Sequence, residues 1–113
     1  MNETVGRMLD LEILENRQRS IRFTENQVNV LESLSRKSKL SFSAVVRVVL
    51  RVYMDSEEEI QKMHLQKKVY RKEPTLLRPI RIYAYQGKKI TELSKQTGLS
   101  ASYIIRYMLD EIL

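Results

Sequence analysis

Between Arg17 and Thr24 the chain reads Arg-Gln-Arg-Ser-Ile-Arg-Phe-Thr, so Ile21 and Phe23 alternate with Ser20, Arg22 and Thr24. A period of two, one side apolar and the other polar, is the pattern of a half-buried strand. Thr24 followed three residues later by Gln27 has the form of a capping box, which predicts that the strand passes straight into a helix. In that helix Val28, Leu31 and Leu34 recur at three- and four-residue spacing, and Arg36, Lys37 and Lys39 place positive charge in the last turn, where the helix dipole favours it. Leu40-Ser41-Phe42-Ser43 opens a second helix, with Ser41 as its cap and Leu40 placed as a hydrophobic staple.

The stretch Val45 to Tyr53 has the β-branched content of a buried strand, and its own periodicity does not decide between strand and helix. The rest of the chain does. Residues 21–54 and 80–113 align at a constant offset of 59 without a gap, and ten of the 34 aligned pairs are identical: Ile21/Ile80, Arg22/Arg81, Gln27/Gln86, Leu34/Leu93, Ser35/Ser94, Leu40/Leu99, Ser41/Ser100, Ser43/Ser102, Arg47/Arg106 and Leu50/Leu109. The second copy of the doubtful stretch, Tyr103 to Leu113, has a helical polar pattern behind a serine cap at Ser100, which predicts a helix in both copies. The copy begins with Arg78 to Tyr85, again alternating: Ile80 and Ile82 are expected inward, with Pro79, Arg81 and Tyr83 outward. Pro79 restricts that strand to an edge or a two-stranded ribbon. Its first helix is expected over about Gly87 to Thr97, stopped by Gly98.

Four segments follow: an acidic stretch 1–16, a strand-helix-helix unit 17–55, a charged and partly helical linker 56–77, and a second unit 78–113. In the first, Met8, Leu9, Leu11, Ile13 and Leu14 suggest a short amphipathic helix. In the linker, Ser56 to Glu59 is read as capping a fresh helix or as continuing the previous one through Ile60 and Met63. Lys67 to Pro74 is read as extended, and His64 as exposed. A unit of about 35 residues cannot bury enough surface to offset its ordering entropy, so the two are expected to need each other. Pairing two such units through antiparallel strands covers the free strand edge and the apolar faces. Positions 45, 46, 48, 49, 50, 52 and 53 are all apolar, which predicts a second helix buried nearly all round. The expected architecture is mainly α with short β-strands.

Net charge is +6, distributed as −3 over residues 1–16, +5 over 17–55, +1 over 56–77 and +3 over 78–113. The basic charge sits in the repeated units, where a polyanion binder would carry it. With no cysteine and a single histidine the chain offers no disulfide framework and no thiolate or histidine metal site, which fits a cytoplasmic protein. No apolar run approaches the roughly 20 residues of a membrane span, the acidic start is unlike a signal peptide, and no convergent set of acid, base, nucleophile or metal ligands suggests an enzyme or a cofactor.

The alternating strands (Ser-Ile-Arg-Phe-Thr and Pro-Ile-Arg-Ile-Tyr), the first helix of about a dozen residues and the Leu-Ser-x-Ser opening of the second helix at Leu40 to Ser43 and Leu99 to Ser102 resemble the ribbon-helix-helix family of Arc/MetJ/CopG-type DNA-binding proteins, over roughly 70 residues. The resemblance implies a tandem ribbon-helix-helix fold and a sequence-specific binder of double-stranded DNA that inserts its ribbon in the major groove. It implies base reading by Ser20, Arg22, Thr24, Arg81 and Tyr83, and phosphate binding at the second-helix starts, by Lys39 with Ser41, Phe42 and Ser43, and by Ser100, Ala101 and Ser102. Two unlike units in one chain look like the TraY-type relaxosome proteins of conjugative plasmids. The implied roles are therefore transcriptional repressor or relaxosome accessory factor, with a relaxase or further copies along DNA as partners and an asymmetric site as target.

Other readings stay open at this level. Ile90 to Arg106 also looks like a helix-turn-helix, although a recognition helix needs a polar face and Val45 to Tyr53 offers only Arg47 and Arg51. An antitoxin or other interaction module of the same fold is a further reading. Arg47 and Arg106 are expected at interfaces rather than on bases, and Tyr83 is read alternatively as stacked on a neighbour. The connection between the units, about 30 Å or more when partly helical, lets the two units of one chain meet, so intrachain pairing is expected.

Overall fold

The structure is a computed structural model that describes residues 12–56 and 74–113. Its elements are β1 (Arg19–Thr24), α1 (Glu25–Ser38), α2 (Phe42–Met54), β2 (Thr75–Ile80), α3 (Ala84–Thr97) and α4 (Ala101–Ile112). Among the described residues it is mainly helical, with one two-stranded antiparallel sheet. The apolar stretch Met8 to Leu11 and the linker readings over residues 57–73, His64 included, lie outside the described residues.

Local chemistry sets the element ends. Thr24 caps α1 through the capping box: its hydroxyl accepts from Gln27 N at 3.1 Å, and Gln27 Oε1 accepts from Thr24 N at 3.0 Å. Ser41 and Ser100 cap α2 and α4, accepting from Ala44 N and Tyr103 N at 3.1 Å each. Lys39 and Gly98, equivalent under the offset of 59, end α1 and α3 in the same left-handed conformation, with φ of 60° and 73°. α2 stops at Met54, where the Asp55 and Ser56 amides turn back onto Arg51 O and Tyr53 O, so the helix does not run on through Ser56. α3 begins at Ala84, three residues before its expected start.

Strand register departs from expectation. The second strand was expected to begin at Arg78, whereas β2 is Thr75–Ile80 and recruits Thr75, Leu76 and Leu77 from the stretch assigned to the linker. Ser20 lies directly opposite Pro79, its own repeat equivalent, so a local two-fold relation passes between them. The second half of β1 must then pair with residues that precede Pro79: Arg22 with Leu77, Phe23 with Leu76, and Thr24 with Thr75. On the other side of Pro79 the ribbon continues with a changed register, Glu15 N donating to Ile82 O at 2.9 Å and Ala84 N to Ile13 O at 2.7 Å. Between these bonds and the Arg19–Ile80 pair the first strand carries extra residues, a bulge. A bidentate pair closes it, Arg19 Nε and Nη2 donating to Glu15 at 2.7 and 2.9 Å. That bond raises the Arg19 guanidinium above its ordinary pKa, against burial that lowers it. Gly87 leaves the space: a Cβ there would collide with the Glu15 carboxylate, where the equivalent residue of the first unit is Val28. Ile13 and Leu14, expected in a helix, are thus extended.

The inner side of the ribbon, Ile21, Phe23, Ile80 and Ile82, packs on a core of Leu31, Val46, Leu50, Ile90, Ile105 and Leu109 from all four helices. Phe23 meets Phe42 edge to face at 5.5 Å, and Tyr53 meets Tyr107 at 6.5 Å. α2 is not buried all round as expected: Val48 and Val52 are 51% and 53% exposed. The two-fold equivalents of Tyr53 and Tyr107 are Ile112 and Val48, which are too short to repeat the aromatic contact. Leu34 is likewise 36% exposed where its equivalent Leu93 is 2% exposed.

Candidate nucleic-acid interface

The outward side of the ribbon is built around the Ser20–Pro79 pair. Alternation and register place Ser20 and Arg22 on that side from the first unit, with Leu77 and Pro79 from β2, and all four are exposed. Arg81, the equivalent of Arg22, follows β2 and is half-buried. Leu77 was missed by the sequence reading; the signal that finds it is the register, which the strand pattern alone does not contain.

Each ribbon arginine is held at its backbone by a helix of the other unit. Arg106 Nη1 donates to Arg22 O at 2.7 Å while Arg22 N donates to Ser102 Oγ at 3.3 Å. The same pair of bonds recurs across the two-fold: Arg47 Nη1 to Arg81 O at 2.7 Å and Arg81 N to Ser43 Oγ at 3.3 Å. Behind them Gln27 Nε2 donates to Arg106 O at 3.0 Å and Gln86 Nε2 to Arg47 O at 2.8 Å, both glutamines being buried. Arg47 and Arg106 are therefore clamps on strand carbonyls, as expected of interfacial arginines. The clamps spend no outward side chain: the Arg22 and Arg81 guanidinia are bound in none of these contacts.

Two expected base readers are placed elsewhere. Thr24 is 4% exposed, and its hydroxyl serves the α1 cap, which takes it out of the outward set. Tyr83 occupies the equivalent position at the start of α3, half-buried, its ring stacked on Tyr85 at 6.0 Å with the Arg47 and Arg51 guanidinia 5.4 and 4.9 Å from its centre. Stacking on a neighbour, the alternative reading of Tyr83, is what the ring does. Arg51 Nε also donates to the Tyr85 hydroxyl at 3.4 Å, which raises its pKa above the ordinary arginine value. No family model, curated protein or solved structure matches this chain.

The expected phosphate contacts fall at two helix starts that flank the ribbon. The first bonds of the α2 and α4 ladders are Val45 N to Ser41 O and Ile104 N to Ser100 O, both 3.0 Å. The amides of Phe42 and Ser43, and of Ala101 and Ser102, precede that ladder at the positive end of the helix dipole, where an anion is favoured. Ser41, Ser100 and Lys39 are exposed, whereas the Ser43 and Ser102 hydroxyls are committed to the strand amides. Among the described residues no cluster of His, Cys, Asp or Glu is placed to hold a metal ion, and no helix is long and apolar enough to cross a membrane.

Proposed function

We propose that this chain is a tandem ribbon-helix-helix protein that binds double-stranded DNA sequence-specifically by laying the outward side of its ribbon in the major groove. The observation that carries the reading is the pair of equivalent arginines, Arg22 and Arg81, clamped by Arg106 and Arg47 about the Ser20–Pro79 pair, with a helix start on either flank. A two-stranded ribbon fits the major groove, arginine can bond guanine O6 and N7 in bidentate fashion, and free helix-start amides suit backbone phosphates. α4, the recognition helix of the rival helix-turn-helix reading, buries Ile104, Ile105, Tyr107, Met108 and Leu109, which disfavours its entry into a groove. Within this reading the chain acts as a transcriptional repressor or as a relaxosome accessory factor, in the cytoplasm.

A second reading rests on a different observation. Leu34, Leu40, Val45, Val48 and Val49 line an apolar groove open on the first unit, which favours an interaction module of the antitoxin kind. Selection of duplexes from a randomised pool, followed by affinity measurement at rising salt, separates the two. DNA binding predicts an enriched sequence and a log-log slope of about −0.9 per phosphate contact. A pool that stays random, with affinity flat in salt, moves the assignment to the interaction module.

A further inference from the structure

The two halves of the ribbon differ in one chemical respect that bears on what each would recognise. Leu77 stands directly opposite Arg22 on the outward side and is 55% exposed. An exposed leucine by itself carries no meaning. This one, however, projects from a side otherwise formed by serine, proline and arginine, between two flanking helix starts, at the place where a groove floor would lie. Its equivalent in the other unit is Gln18, exposed and polar, so the apolar group is present on one half only.

We infer that Leu77 is a specificity-determining residue that contacts a thymine methyl group beside the base read by Arg22, and that no such contact exists on the Arg81 half. The inference rests on the DNA-binding reading. Residues opposite each other in an antiparallel pair have Cβ atoms about 5 Å apart, and stacked bases rise about 3.4 Å, so the two side chains reach the same or adjacent base pairs. In the major groove only thymine offers an apolar group, its C5 methyl. Gln18, in the bulge that precedes Arg19, offers no apolar group there. The ribbon thus tells the two ends of its site apart, with a methyl-dependent half and a methyl-independent half.

The test uses the intact chain and the duplex it selects from a randomised pool, with each thymine replaced in turn by deoxyuridine, which removes only the methyl. For the unsubstituted chain, one replacement adjoining one half-site is expected to weaken binding about fourfold, the value of one methyl-sized apolar group. Leu77→Ala should bind the thymine and uracil duplexes equally, and Leu77→Gln should shift selection toward adenine at that position, both with an unchanged thermal midpoint. An enriched duplex in which no single replacement matters, or in which the effect survives Leu77→Ala, overturns the inference and leaves the DNA reading standing. A pool without enrichment overturns both.

Discussion

Arg106 reaches from α4 across to the first unit and donates from Nη1 to the carbonyl oxygen of Arg22 at 2.7 Å. Because the bond is made to the backbone, it fixes where the Arg22 side chain starts without consuming it. Removing the clamp and removing the outward side chain are therefore expected to differ in effect. Arg106→Ala deletes a charged donor from an exposed strand carbonyl, which water can then satisfy, and should cost about 0.5–1.5 kcal/mol of stability. Arg22→Ala, on the exposed side, should stay within about 0.5 kcal/mol. Denaturant titration of the two variants checks this, and the same contrast should hold for Arg47 against Arg81.

Lys39 provides a second test, because its two possible contributions have opposite signs. It ends α1 at a φ of 60°, in a conformation that Gly98 adopts at the equivalent place with no side chain to strain. Lys39→Gly should stabilise the fold by about 1 kcal/mol. It should also weaken DNA binding to a similar degree on every sequence and make the salt slope shallower by about one contact. Thermal melts and salt titrations of the one variant read both effects.

The hydrogen-bonded ends of the elements were legible in the sequence because they depend on neighbours in the chain: Thr24 with Gln27, Ser41, Ser100 and Gly98 all act where their local spacing places them. The repeat likewise showed that Val45 to Tyr53 is helical. Register was not legible, since alternation says which side a residue faces and nothing about its partner. Placing Ser20 opposite Pro79 draws Leu77 onto the outward side and leaves Thr24 and Tyr83 at helix starts. The bulge that moves Ile13 and Leu14 out of a helix depends on space at Gly87, a contact between distant residues. Exposure of Val48 and Val52 was hidden for the same reason, because it follows from what the opposite unit does not supply.

Pairing within one chain has a consequence in solution. β1 and β2 are joined through α1, α2 and residues 55–74, so each strand sees the other at an effective concentration on the order of millimolar. Light scattering at low micromolar protein is expected to give the mass of one chain. Cleavage in the linker near Lys67 should yield two fragments that fold only when mixed; two separately stable homodimers would contradict the pairing described above.

The central claim, that the outward arginines read bases, is tested most directly by binding of Arg22→Ala and Arg81→Ala to the selected duplex and to a scrambled one. Each variant is expected to lose about 1–3 kcal/mol of discrimination, roughly tenfold or more, at its own half-site, while affinity for the scrambled duplex and the thermal midpoint stay nearly unchanged. Full discrimination retained by both variants would contradict the account.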